Sequence, residues 1–338
     1  MKDEKIHRQL IANSVFSTGN PWIDDCLAGG LNQENLMLVA AKTGVGKTFY
    51  GVQLATHAAR LNKNVYYFAL EAEKYEIERR RLYYETSRLV HKHYPQLSMP
   101  RYREWLHQSL NDEWESIEKE AAKTIEQEND YLKVKYSHGI YTPQNFKHDV
   151  LMLLQEEQKP DLIILDHLHH LFLSGDEIEA LKSTIHGIKS LKSTADIPVV
   201  VLAQLRKNDA GTGKRTMPKL EDIRGTASLT DVATDVLLIS PVGDDAKKSL
   251  PSDIKHPMYF HLAKSRTASE CRDYVGVVGY SASEGCYSKS YSIAKSKIFE
   301  DPELIDTANK PPWAKNAIVA KLVPEFFSNK KPYGGSYE

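Results

Sequence analysis

Residues Leu36–Thr48 read LMLVA and then AKTGVGKT. The first half is a short apolar run with β-branched content, the length of a buried strand rather than of a helix. The second half sets Ala41, Lys42, Thr43, Gly44, Val45, Gly46, Lys47 and Thr48 at the spacing of a phosphate-binding loop, with Ala41 where a glycine often stands. Small residues let the backbone curl so that its N–H groups point inward at phosphate oxygens. A helix that follows adds the positive end of its dipole. Lys47 is expected to reach the β- and γ-phosphates, and the Thr48 hydroxyl to ligate Mg²⁺. The next residues, FYGVQLATHAARL, place Phe49, Val52, Ala55 and Ala59 along one helical stripe. Strand, loop and helix in that order are the context the motif requires, and they set it apart from a chance glycine turn.

Downstream, other apolar runs end in polar groups of matching chemistry. Asn64 to Leu70 (NVYYFAL) is a strand ending at Glu71, and Leu162 to Leu165 is a strand ending at Asp166. Ile197 to Ala203 (IPVVVLA) is a strand ending at Gln204. Ligands bind where strand ends meet at one edge of such a sheet. Hydrolysis of a nucleoside triphosphate needs a phosphate cradle, a metal ligand, a base for the attacking water and a polar sensor of the γ-phosphate. Lys47 with Thr48, Asp166, Glu71 and Gln204 match those needs, which makes ATP and Mg²⁺ the expected ligands. His167, His169 and His170 invite a metal reading. Alternation on an extended chain points His167 and His169 to one face and His170 to the other, which favours residues lining a pocket or interface.

Around these strands the pattern alternates with helices, which implies an α/β fold with a largely parallel sheet. Residues 1–17 form an amphipathic helix or arm, either a frayed end or a docking segment. Ser17 and Thr18 are candidate caps for a short helix from Pro21 to Leu27 that ends at Gly29-Gly30. Lys74 to Asp130 is charged and helical, broken between Tyr94 and Pro100, with Trp105, Leu106 and Leu110, then Trp114, Ile117 and Ala121, at helical spacing. The run Arg79-Arg80-Arg81 reads as a solvated face, and the Trp and Tyr residues as packing anchors. YLKVKY (Tyr131–Tyr136) is a strand, and Thr142-Pro143 starts a helix that should reach about Gln158. A further helix is expected over Asp176 to Ala195, then a Gly- and Lys/Arg-rich loop after Gln204. Val236 to Ser240 and Tyr259 to Ala263 are strands, and Tyr274 to Tyr280 is one strand of an added hairpin. Beyond Ile298 the chain turns polar and Pro-rich, with Trp313 to Phe327 apolar enough to dock somewhere.

The chain has 338 residues, 41% hydrophobic and 26% charged, with a formal net charge of -1. These values are those of an ordinary globular protein with a sizeable core. Bulk charge announces no nucleic-acid partner, so such binding requires a local basic surface. Cys26, Cys271 and Cys286 form no CxxC pair and suit a reducing compartment. No apolar run spans a bilayer and no secretory leader is evident at Met1–Leu10, so the expected location is cytoplasmic, with no membrane partner.

In order and local wording, residues from about Ser17 to Tyr280 resemble the RecA-like ATPase domain of the DnaB family of hexameric replicative helicases. AKTGVGKT resembles that family's phosphate loop, and FALEAEKYEIERR its serine-leucine-glutamate motif, with Ala69 replacing the serine. LIILDHLHHL resembles its Walker B motif, and VVVLAQLRKN its sensor motif. LEDIRGTASLTDVATDVLLI resembles the segment of its DNA-binding loop, and HLAKSRTASE its final motif. The resemblance implies a RecA-like P-loop NTPase, an α/β fold with a mostly parallel central sheet flanked by helices. It casts Glu71 as catalytic base and Gln204 as sensor, with Lys264 and Arg266 reaching a γ-phosphate held by the neighbouring subunit. It places Arg224, Gly225 and Ala227 on single-stranded DNA, with Gly225 replacing an acidic residue and Ala227 a glycine. The implied division is an arm (1–17), the ATPase domain (18–298) and a Pro-rich tail (299–338), without the family's N-terminal domain for primase contact.

The leading expectation is a ring-shaped homo-oligomer, a hexamer by family resemblance, driven by ATP along DNA and working with replication or other DNA-processing partners. A second is an ATP-gated assembly switch that recruits a partner without unwinding. A P-loop kinase ranks last, since it needs neither Glu71 poised for water nor a finger such as Arg266 supplied by another subunit. Arg224 paired with Glu221 or Asp222 as a structural arginine stays open beside the DNA-contact reading, as does a plain surface pair for Lys264 and Arg266.

Overall fold

The computed structural model describes residues 9–94, 96–107, 112–137, 140–168, 187–188, 196–206, 217–223, 226–243, 247, 256–267, 269–281, 286–294 and 305–306. In chain order the elements are α1 (Pro21–Cys26), β1 (Leu36–Ala41), α2 (Lys47–Arg60), β2 (Val65–Ala69), α3 (Glu76–His93), α4 (Tyr102–His107) and α5 (Asp112–Glu128). They continue with β3 (Leu132–Tyr136), α6 (Pro143–Leu153), β4 (Leu162–Asp166), β5 (Val199–Gln204), α7 (Thr226–Val232) and β6 (Asp235–Pro241). The chain then runs through β7 (Pro257–Ser265), β8 (Tyr274–Ser281), β9 (Cys286–Ala294) and β10 (Ile305–Asp306).

The strands form one sheet in the order β10-β9-β8-β7-β6-β1-β5-β4-β2-β3. From β3 to β6 neighbours are parallel, and from β6 to β10 they are antiparallel. The expected hairpin strand is β8, paired with both β7 and β9. β1 lies between β5 and β6 and is buried along its whole length, as a strand covered on both faces must be. Alternation divides it cleanly: Met37, Val39 and Ala41 join a core with Val52, Ala55 and Ala59 of α2 and Trp22 of α1. Leu36, Leu38 and Ala40 join the core on the other face with Phe146 and Val150 of α6 and Leu229 of α7. A third cluster, Tyr83, Leu89, Val90, Trp105, Ile117 and Ala121, holds α3, α4 and α5 together beside Phe49.

Local expectations and structure differ at several points. Asn20, not Ser17 or Thr18, caps α1, its Oδ1 accepting from Ile23 N at 3.2 Å. Ser17 Oγ and Thr18 Oγ1 instead donate to the buried Asp24 carboxylate at 2.6 Å each. That carboxylate offers an acceptor the two hydroxyls can reach, and burial pushes its pKa up to about 6 against the lowering effect of those hydrogen bonds. Leu106 is 41% exposed, so α4 packs through Trp105 and not through its whole apolar stripe. The helix begun at Pro143 carries the expected Thr142 cap, but it stops at Leu153 and gives way to turns.

The arginine run is the larger correction. Arg79 is solvated, but Arg81 is only 3% exposed, and its Nη2 donates to Glu128 Oε2 at 2.7 Å. Arg60, at the end of α2, donates to Glu128 Oε1 at 3.0 Å and also pairs with Glu85 of α3. Helical spacing spreads three consecutive residues over about 200°, so such a run can set one of them on the packed side while another stays in water.

Several expectations lie outside the described residues: those for the N-terminal eight positions, His169 and His170, most of the helix over Asp176 to Ala195, the loop at 207–216, Arg224 and Gly225, and Trp313 to Phe327. Among the described residues no helix is long and apolar enough to cross a membrane.

Candidate nucleotide site

The loop between β1 and α2 turns on two glycines with positive φ, Gly44 at 79° and Gly46 at 101°. Both angles lie where side chains are disfavoured, which is why the motif wants glycine there. Gly46 is the N-cap of α2 and its carbonyl accepts from Tyr50 N at 3.0 Å, so the helix begins directly at Lys47. The first-turn amides of a helix have no partner within it, and here they open onto the loop.

Register brings the other groups to the same sheet edge. Ala41 pairs with Gln204, Asp166 with Leu202, and Ala69 with Asp166. The ends of β1, β5, β4 and β2 are therefore level, and Lys47, Gln204, Asp166 and Glu71 surround one spot. Gln204 Nε2 donates to Thr43 Oγ1 inside the loop. Lys47 Nζ donates to Ala41 O at 3.3 Å; burial lowers its pKa, while Asp166 and Glu71 pull it upward. Glu71 is exposed just past the end of β2, open to the water it is expected to activate.

Asp166 is 3% exposed. Burial raises its pKa, and hydrogen bonds from Tyr67 and Thr48 lower it, with Glu71 raising and Lys47 lowering it further. Tyr67 Oη donates to Oδ2 at 2.6 Å, whereas Oδ1 is buried with no hydrogen-bond partner. An unpaired buried carboxylate oxygen beside a threonine hydroxyl is a hard-oxygen donor set of the kind Mg²⁺ takes. Among the described residues no cluster of His, Cys, Asp and Glu suggests another metal centre.

Two residues of the site escape sequence reasoning. Tyr67 lies in a fully buried strand, where YY reads only as apolar filling. Its tip reaches Asp166 because Gly51 of α2 leaves room: a Cβ there would stand 2.8 Å from Tyr67 Oη. A polar-tipped aromatic on the strand face that packs against the glycine-bearing helix is the signal that could have found it. Arg80 is the other. Its guanidinium lies 4.5 Å from the Phe49 ring and 5.0 Å from that of Tyr102, and it donates twice to Glu76 Oε1. It thus ties the segment after Glu71 to the residue after Thr48.

Lys264 and Arg266 are not part of this cluster. β7 runs against β6, with Ser265 opposite Asp235, and Asp235 pairs with Met37 at the start of β1. The pair stands at the opposite end of the sheet, more than ~10 Å along the strands from the phosphate loop at ~3.3 Å per residue. Lys264 Nζ donates to Thr230 O and, at 3.1 Å, to Asp231 O at the end of α7. Arg266 is exposed. Ala227 lies in the first turn of α7.

A phosphate loop at the end of a central strand, with an acidic residue ending β4 one strand further on across β5, and a largely parallel sheet covered on both faces, define a RecA-like P-loop nucleotide-binding domain. Residues 16–272 match the DnaB-like helicase C terminal domain, and the chain belongs to that family. It is 26% identical over 263 residues to the replicative DNA helicase DnaB of Mycoplasma genitalium, covering 72% of this chain and 50% of that protein. It is 25% identical over 209 residues to the replicative DNA helicase DnaB of a Nostoc species, covering 61% of this chain and 22% of that protein. The chain thus spans at most about half the length of these two helicases. Its fold matches that of a solved ATPase domain with a TM-score of 0.64 at 16% identity, over 84% of this chain and 94% of that one.

Proposed function

We propose that this protein is an ATP-hydrolysing ring motor of the DnaB helicase type that translocates on or unwinds DNA by binding a single strand. The observation that carries the reading is the division of labour across the sheet. Lys47, Thr48, Glu71, Asp166 and Gln204 meet at one edge, while Lys264 and Arg266 stand at the other. A cation pair that cannot serve its own loop suits the loop of another copy, and a ring gives every loop such a neighbour.

Ala41 to Thr48 would cradle the phosphates of ATP through backbone N–H groups, with Lys47 on the β- and γ-oxygens. Thr48 and Asp166 would hold Mg²⁺, which when bound neutralises charge on the phosphate oxygens. Glu71 orients a water and takes its proton as the oxygen bonds to the γ-phosphorus and the bond to the leaving ADP breaks. Gln204, already touching Thr43, reads whether the γ-phosphate is present. Lys264 and Arg266 of the adjacent subunit stabilise charge that develops on the transferring group. Arg224, with the backbone N–H groups of Gly225 and Ala227, would hold strand phosphates, and Arg206, Lys207, Lys214 and Arg215 would form an electrostatic funnel around them. Such contacts carry no base information.

The test is anisotropy of labelled oligo-dT at two salt concentrations with an ATP analogue, together with ATP turnover. Wild type binds the strand more weakly at high salt, and its turnover rises when strand is added. Arg224→Ala binds more weakly with a shallower salt slope. Lys47→Ala loses nucleotide affinity, and Glu71→Gln binds ATP but turns over about a hundredfold more slowly, the scale of a lost general base. A wild-type protein that binds no strand and whose turnover ignores it overturns the motor and leaves the assembly switch.

A further inference from the structure

The end of the sheet away from the nucleotide holds a buried carboxylate that hydrolysis does not use. Asp235 opens β6 and is 1% exposed. Asn35 Nδ2 donates to its Oδ2 at 2.8 Å, Thr234 Oγ1 to the same oxygen at 2.7 Å, and Ser265 Oγ to Oδ1 at 2.7 Å. Burying a carboxylate is costly even when it is hydrogen-bonded, and packed apolar residues hold a strand end as well or better. A site built only to stabilise the fold has no need of it.

Its partners indicate what it holds. Ser265 stands between Lys264 and Arg266. Thr234 O accepts from Arg266 N at 3.1 Å, and Thr234 Oγ1 accepts from Leu36 N at 2.8 Å, which pins that corner to β1. Lys264 closes the circuit by donating to the last carbonyls of α7, a helix C-terminus that favours a cation. Burial and then the Arg266 guanidinium push the Lys264 pKa down, and Asp231 and Asp235 pull it back up. α7 in turn follows directly on Arg224 and Gly225.

We propose that Asp235 is the positioning residue of the cation pair, locking Lys264 and Arg266 to the end of α7 so that the pair and α7, whose first turn holds Ala227, move as one piece. The inference rests on the motor reading above and adds how strand binding in one subunit is felt at the nucleotide of the next. Ser265 is the removable link, since its hydroxyl joins the tip to Asp235 while its neighbours carry the charge.

The experiment uses the full chain with ATP and oligo-dT. Ser265→Ala is expected to keep its KM for ATP and its strand affinity within about twofold, while strand-stimulated kcat falls about tenfold, the scale of one hydrogen bond to a charged group. Ser265→Thr, which keeps the hydroxyl, restores it. In wild type, hydrogen exchange slows on strand addition in residues 257–267 as well as in 226–234; this readout stands even if the alanine variant does not fold. Strand protection confined to 226–234 in wild type, or an alanine variant stimulated as fully as wild type, overturns the inference alone. A wild-type turnover that ignores the strand overturns the motor reading and the inference with it.

Discussion

Asp166 carries opposing influences. Burial raises its pKa, and the Tyr67 and Thr48 hydroxyls, then Lys47, pull it back down. Burial, and then the neighbouring carboxylate, keep Tyr67 protonated and therefore a donor. Tyr67→Phe keeps the ring and removes that donor, so the folded pKa of Asp166 rises further. The carboxylate is then ionised only at higher pH, and the acid limb of the kcat/KM profile moves upward. We expect turnover at neutral pH to fall about tenfold, as for loss of a hydrogen bond to a charged group, with recovery at raised Mg²⁺. A pH profile and Mg²⁺ titration unchanged from wild type would remove Tyr67 from the site. Nothing in NVYYFAL marks one tyrosine over its neighbour. The distinction lies in which sheet face each occupies and in the space left by Gly51, a residue on another element.

At the scale of elements, α2 is held at both ends. Its start is the phosphate loop, and its end is anchored by Arg60 to Glu85 of α3 and Glu128 of α5. Arg81 completes the network on Glu128 with almost no exposure. Removing one partner of a buried pair strands the other charge, so Glu128→Ala should destabilise the fold by about 3 kcal/mol, measured by denaturant unfolding. Glu128→Gln, which keeps an acceptor for Arg81, should lose less. A loss below about 1 kcal/mol for the alanine variant, the range of exposed pairs, would mean that water reaches Arg81. The helices themselves were legible in sequence, from spacing at Trp114, Ile117 and Ala121 and from the Thr142-Pro143 start. Their docking was not, because Arg60 and Glu128 meet through a turn of α2 and the end of α5, and no local pattern records that meeting.

At the scale of the whole molecule, the separation of Lys264 and Arg266 from the phosphate loop makes assembly part of the chemistry in the motor reading. Arg266→Ala and Lys47→Ala should each be inactive alone. Mixed, they should recover a fraction of wild-type turnover, since some interfaces then join an intact loop to an intact pair; a positioned cation at the transferring phosphoryl group is worth about a thousandfold or more. The check is turnover of the mixture across mixing ratios, beside the mass of the species in solution. A fully active monomer would end the shared-site proposal.

The strands that end at the phosphate loop, Glu71, Asp166 and Gln204 were legible in the sequence alone. A phosphate loop is a local device: its glycines, lysine and threonine act within one turn, and the apolar runs before Glu71, Asp166 and Gln204 announce buried strands by length and composition. What only the tertiary structure decided is at which edge of the sheet each group stands. The antiparallel return of β7 carries Lys264 and Arg266 away from the loop, and the level ends of β1, β5, β4 and β2 gather the rest. Strand direction and register come from pairing between segments far apart in sequence, where a shift of one residue moves every side chain to the other face.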